Sequence, residues 1–191
     1  MEFDIPAIIQ GYAQGYFLMA DEPNNGLGWY SSYERTLIPL DERFHYPKSL
    51  RRVLNSERFT VAVNRDFKAV VAGCAARKTT WISQELQEIY WELYQSGWAY
   101  SFETWQGEKL AGGVLGLVIG GAFIGESMFY QISEGSKVAL VELVARLRSR
   151  SFVLFDAQMM NPHLERFGAY RVSEKQYQLL LNQALSRRCS L

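Results

Sequence analysis

The run "LAGGVLGLVIGGAFIGESMFY", residues 110–130, constrains the fold more than any other stretch of the chain. Its continuous apolar part, residues 110–125, carries six glycines and is shorter than the roughly 18 apolar residues a membrane-spanning helix needs. Gly120-Gly121 divides it into two strand-length runs, and Gln106-Gly107 punctuates the chain once more upstream, after "AYSFETWQ". Glycine pairs between β-branched and aromatic runs mark chain reversals. Three successive antiparallel strands, buried in a core, are the expectation.

The flanking segments supply partners for such strands. From Phe59, "FTVAVNRD" alternates as a strand and "DFKAVVAGCA" reads as a helix. "SQELQEIYWELYQSG" reads as an amphipathic helix starting at Ser83, with Leu86, Ile89, Tyr90 and Leu93 on one face. In "SKVALVELVARLRSR" the residues Leu140, Leu143, Val144 and Leu147 form one stripe. Ser136 suits the N-cap of that helix, and Arg146, Arg148 and Arg150 suit its carboxyl end. "FVLFDAQ" is a fourth apolar strand, and the remainder predicts a turn, a short strand and a helix. Before Phe59, "DIPAIIQGYAQGYFLM" predicts one short helix, followed by turn-rich and polar connections. This order predicts an α+β architecture with a central mixed sheet, residues 1–58 forming a small N-terminal unit and residues 59–191 the main domain.

Bulk properties exclude several classes. At 191 residues and 48% apolar, the chain can bury one sizeable core with a pocket. Twenty Lys and Arg balance twenty Asp and Glu, so any contact with phosphates must come from a local cluster rather than from a global field. Cys74 and Cys189 fit neither a disulfide framework nor a four-ligand zinc site, which points to a reducing, cytoplasmic setting. The amino-terminal segment lacks the basic start and apolar core of a signal peptide.

Three polar groups break the apolar strands: Glu126, Asp156 and Gln158. An ionised carboxylate among apolar neighbours is costly unless something pairs with it. Asp156 and Gln158, two apart, point to one side of a continuing strand. Together with Glu126 they suit attack of an amine on a carbonyl: a carboxylate holds or deprotonates the ammonium, and donors steady the oxyanion. Two structural alternatives stand beside this: Glu126 paired with a basic residue such as Lys137, and Asp156-Ala157-Gln158 capping a turn.

Other signals are weaker. Trp29, Tyr30, Trp81, Phe123 and Phe129 are candidates for a stacking platform or for the core. Lys48, Arg51 and Arg52 form the densest basic cluster, which Arg65, Arg77 and Lys78 extend. No phosphate-binding loop, dinucleotide fingerprint, HExxH or GxSxG motif occurs, and His45 and His163 are too isolated to read as a metal pair.

The stretches "GCAARKTTWIS", "LAGGVLGLVIGGAFIGESMF", "SKVALVELVARL" and "DAQMMNPHLERFGA" closely resemble the bacterial leucyl/phenylalanyl-tRNA–protein transferases, in register from about Gln14 to about Tyr177. "WYSSYERTLIPL" looks like a diverged WWSPDPRAVL segment of that family. The resemblance implies an acetyltransferase-like (GNAT) domain behind a small N-terminal domain. It implies transfer of Leu or Phe from aminoacyl-tRNA to proteins with an N-terminal Arg or Lys, marking them for degradation by the N-degron route, without metal or nucleotide cofactor. By the same resemblance Glu126, Asp156 and Gln158 match the catalytic acid, acid and amide. Trp81 matches a residue packing on the terminal adenosine, Phe123 lines the acyl pocket, and Ser127 joins the substrate-binding set. Lys48, Arg51, Arg52, Arg77 and Lys78 are the implied tRNA contacts, and a monomer is expected.

The chain also departs from the family's pattern. Met19 stands where a second adenosine-contacting Trp is expected; Val114 and Leu143 replace Met and Phe in the acyl pocket, and Ala157 replaces a Cys. Two alternatives follow from the fold and the altered motifs: a coenzyme-A-dependent N-acyltransferase, and an aminoacyl-tRNA-binding protein without catalysis.

Overall fold

The computed structural model describes residues 3–21, 26–76 and 80–191. Arg77 and Lys78 therefore lie outside the described residues. From the amino terminus, α1 (Ile5–Ala13) leads to β1 (Phe17–Ala20), β2 (Leu27–Tyr30), β3 (Glu34–Leu37) and α2 (Lys48–Asn55). Next come β4 (Thr60–Val63), α3 (Phe67–Ala75), α4 (Gln84–Gln95), β5 (Ala99–Gln106), β6 (Lys109–Ile119) and β7 (Ala122–Tyr130). The chain continues with α5 (Gly135–Ser149), β8 (Leu154–Gln158), α6 (Pro162–Glu165), β9 (Tyr170–Ser173) and α7 (Glu174–Leu185).

Strands β5, β6 and β7 form the expected antiparallel meander. Gly107 and Gly120 turn it at φ 57° and 60°, a left-handed conformation that glycine adopts without a Cβ clash. α5 then carries the chain to β8, which lies parallel to β7. The complete sheet runs β4-β5-β6-β7-β8-β3-β9, a mixed α+β sheet of the acetyltransferase-like type, with β1 and β2 as a separate hairpin. On one face α1, α3 and α4 bury Tyr12, Val70, Leu86 and Leu93 against Leu115 and Ile124. On the other, α2 and α5 bury Leu50, Leu140 and Leu147 against Phe102, Val114 and Phe123. Being covered on both sides, β6 has no polar face, which is why its sequence shows none.

Local chemistry sets the boundaries. Ser83 opens α4 by accepting from the Leu86 N–H at 3.2 Å, and Asp66 opens α3 by accepting from Ala69 at 3.0 Å. Ser136 is not the cap of α5. That helix begins one residue earlier, behind Glu134 in a left-handed conformation without a side-chain cap, and Ser136 is buried against β6. A Cβ on Gly112 would come within 2.7 Å of the Ser136 nitrogen, so glycine in β6 is what lets the helix approach.

The expected helix through residues 17–19 ends at Ala13 instead. Gly15 turns at φ 91°, and Phe17–Ala20 continue as a strand paired with β2. The segment read as a polar connection contains α2. Residues 34–37, on the amino-terminal side of the expected boundary at residue 58, are inserted between β8 and β9, so the large sheet draws on both sides of that boundary. "ERTL" shows no strand alternation because Arg35, Thr36 and Leu37 are all buried.

Candidate active site

Strands β7 and β8 are paired only where Ala122–Ile124 face Leu154–Asp156. Beyond that point they part: β7 stays with β6, and β8 with β3. Ligands in open sheets bind where parallel strands separate at their carboxyl ends. A cavity of about 350 Å³ occupies this gap, lined by apolar Val114, Leu140 and Phe155 and by polar Glu126, Ser127 and Gln158. Trp81 lines it as well.

A bulge aims Glu126. Opposite β6, Leu115 pairs with Ser127 and Gly116 with Gly125, which leaves Glu126 as the additional residue. Such an insertion redirects a side chain and is common next to active sites. Glu126 is 3% exposed. Its Oε2 accepts a 2.8 Å hydrogen bond from the Tyr90 hydroxyl. Burial pushes its pKa up from 4.5 to about 7; the nearby charge of Asp156 adds to the rise, whereas the Tyr90 hydroxyl, the Tyr12 hydroxyl and the Gln158 amide oppose it. Lys137 is not its partner, since it closes on Glu134 at 2.9 Å.

Three buried polar atoms at this cavity have no hydrogen-bond partner within the described residues: Glu126 Oε1, Ser127 Oγ and Gln158 Nε2. Leaving such groups unpaired costs about 1–3 kcal/mol each, and here three of them meet on one cleft. An acceptor, a hydroxyl and an amide donor on an apolar cleft can hold an amine and a carbonyl together.

Asp156 does not line the cavity. It is fully buried, bound by the Arg35 guanidinium at 2.7 and 2.9 Å, by the Tyr177 hydroxyl at 2.7 Å and by the Gln158 backbone N–H at 2.8 Å. The expected common side of Asp156 and Gln158 is lost because Gln158 turns at φ 60° and ends the strand. Phe123 and Leu143 do not line the cavity either and are fully buried in the core; Phe123 meets Phe155 edge-on at 5.1 Å. Met19 sits in β1, half-buried, next to Ala20, whose N–H donates to the Trp81 carbonyl at 3.0 Å. Lys48, Arg51 and Arg52 are exposed on α2. Arg65 is engaged elsewhere, paired with Glu108 and stacked on Trp105.

Sequence reasoning missed Tyr12, Tyr90, Arg35 and Tyr177. A buried tyrosine hydroxyl needs a partner, so Tyr90 on the apolar face of α4 carried a usable signal. The coenzyme-A alternative fares poorly on charge: a pyrophosphate favours a free helix amino terminus, and α5 opens on Glu134 with Lys137 closed upon it.

A mixed sheet whose parted parallel strands hold a carboxylate and an amide on an apolar cleft offers the groups that acyl transfer to an amine needs. The chain is a member of the leucyl/phenylalanyl-tRNA–protein transferase family. Residues 37–182 match the profile described as leucyl/phenylalanyl-tRNA protein transferase, and residues 1–32 match that of its N-terminal domain. Relatives carrying this family name include one from Nostoc punctiforme, 75% identical over the whole of both chains. Another, from Trichormus variabilis, is 77% identical over 97% of this chain and 96% of that one. A third, from Chlorobaculum parvum, is 44% identical over 95% of each. Among solved structures, L-PGS from Bacillus licheniformis shares the fold at 14% identity, with a TM-score of 0.50 over 96% of this chain and 71% of that one. No helix among the described residues is long and apolar enough to cross a membrane.

Proposed function

We propose that this chain transfers Leu or Phe from aminoacyl-tRNA to the α-amine of proteins beginning with Arg or Lys, marking them for degradation by the N-degron route. It acts as a cytoplasmic monomer that needs neither metal nor nucleotide. The observation that carries this reading is the meeting of an apolar cleft with three unpaired polar atoms, in a chain of this family. The acyl side chain lies against Val114, Leu140 and Phe155, with Phe123 and Leu143 shaping that surface from beneath. The terminal adenosine packs on Trp81, beside the strand that carries Met19.

Glu126 holds the acceptor ammonium and takes its proton. A pKa near 7 leaves its carboxylate about half ionised at neutral pH, which suits a general base. The freed amine attacks the ester carbonyl. Its C–N bond forms as the ester C–O bond breaks, and the ribose oxygen leaves as a hydroxyl after taking up the proton. The Gln158 amide and the Ser127 hydroxyl donate to the carbonyl oxygen as charge develops there, and Asp156 acts through Gln158. Lys48, Arg51, Arg52, Arg77 and Lys78 contact tRNA phosphates. Residues 1–58 serve as the small N-terminal domain, which lends β3 to the sheet of the transferase domain, residues 59–191.

The test is transfer of radiolabelled Leu and Phe from charged tRNA to peptides beginning with Arg, Lys, Asp, Glu or Ala, without coenzyme A or ATP. Label on the Arg and Lys peptides is the expected result, lost in Glu126→Gln and lowered but still measurable in Gln158→Ala while tRNA still binds. Label on none, or only after addition of acetyl-coenzyme A, overturns it.

A further inference from the structure

Gln158 is a non-glycine residue held at φ 60°, a conformation that costs roughly 1–2 kcal/mol and persists only where the surroundings impose it. What imposes it here is visible. Asp156 Oδ1 accepts from the Gln158 backbone N–H at 2.8 Å, and Asp156 itself is fixed from behind. Arg35 reaches it with Nε and one terminal nitrogen, while the Tyr177 hydroxyl donates to Oδ2 at 2.7 Å. The guanidinium is stacked between the rings of Phe17, 4.8 Å away, and Tyr177, 4.4 Å away. Its remaining terminal nitrogen donates to the Gly15 carbonyl at 2.9 Å. Arg35 comes from β3, Tyr177 from α7, Gly15 from the link between α1 and β1, and Phe17 from β1.

We infer that Arg35 and Tyr177 are positioning residues of the transfer reaction: through Asp156 they hold the backbone turn that presents the Gln158 amide beside Glu126. Neither touches the cavity. The inference rests on the role given to Gln158 above and adds the device that sets it. The Arg35 clamp also ties the α1–β1 link, and so the strand that meets Trp81, to the strand that ends in Gln158.

Tyr177→Phe is the discriminating variant, because it removes the hydroxyl donor and keeps the ring under Arg35. Arg35→Lys keeps the charge and loses the two-pronged contact. Displacement of a catalytic group by about 1 Å costs on the order of a hundredfold in rate. Both variants are expected to lower kcat for Leu transfer about ten- to a hundredfold, with KM for leucyl-tRNA and melting temperature near the wild-type values for Tyr177→Phe. In a Gln158→Ala background, Tyr177→Phe is expected to cause no further loss, since its effect passes through the missing side chain. Wild-type kcat in Tyr177→Phe, or the same fractional loss in both backgrounds, overturns the inference. Wild-type transfer by Gln158→Ala alone overturns the role of Gln158 itself, and is told apart by that single variant.

Discussion

Replacing Glu126 by Gln should make the protein more stable above neutral pH while removing its activity. The carboxylate is buried, and one of its oxygens accepts from Tyr90 while the other has no partner among the described residues. A carboxamide keeps an oxygen acceptor for the Tyr90 hydroxyl and brings no charge to bury. Below about pH 4.5 the side chain is protonated in both folded and unfolded chains and has no pH-dependent cost. Between pH 4.5 and about 7 the unfolded chain releases this proton while the folded chain keeps it, so stability falls as pH rises. Above about 7 the loss is complete. At about 1.4 kcal/mol for each tenfold change in proton affinity, the interval from 4.5 to about 7 corresponds to about 3 kcal/mol. For a chain of 191 residues, each kcal/mol moves the melting temperature by roughly 2–4 °C. The assay is thermal unfolding of wild type and Glu126→Gln followed by circular dichroism from about pH 4 to about pH 8.5. The expected result is a variant advantage near zero at the acid end that grows to about 6–12 °C. A difference that stays constant across this range would refute the reasoning.

Tyr90→Phe removes the donor that favours ionised Glu126, so the acid limb of the pH–rate profile for transfer should move upward by roughly one to two pH units; a limb that stays in place removes Glu126 as the titrating base. Leu140→Phe narrows the cavity and should raise the Leu-to-Phe preference about tenfold in competition assays; an unchanged ratio sets the acyl side chain elsewhere. Joint replacement of Lys48, Arg51 and Arg52 by Ala should weaken aminoacyl-tRNA binding and flatten its log–log salt dependence by about two to three. Transfer at saturating tRNA should stay at the wild-type rate, and an unaltered salt slope moves the phosphate contacts off α2.

What was legible in the sequence was local. Ser83, Asp66, Gly107 and Gly120 act on neighbours within a few residues, so the helices they start and the reversals they allow could be placed from composition alone. Glu126 was legible for a related reason: one carboxylate among apolar residues contradicts burial unless it has a task. The unread parts depend on partners far along the chain. Arg35 looks like a surface cation in "YERTL", yet it is buried because Asp156, 121 positions later, neutralises it. Asp156 looked like a free acid for the same reason. The bulge that isolates Glu126 follows from the register of β6 against β7, which no single strand records, and the left-handed turn at Gln158 follows from the bond to Asp156. Phe123 and Leu143 were assigned to the acyl surface by resemblance, but both are fully buried in the core, Phe123 edge-on against Phe155, which does line the cavity.

The insertion of β3 between β8 and β9 also orders events on the ribosome. Synthesis runs from the amino terminus, and domains assemble as their parts emerge. The meander β5–β7 can close on itself, with α3 and α4, as soon as residue 130 is free. β3, though made much earlier, then waits with its buried arginine unpaired until Asp156 and Tyr177 have emerged. Contacts of such long sequence separation form late because their loop-closure cost comes first. The segment made early is thus among the last to dock, and the wall of the cavity that ends in Gln158 forms with it. A nascent chain halted before β8 holds the β5–β7 meander but lacks Phe155 and Gln158, so one wall of the cavity is still missing.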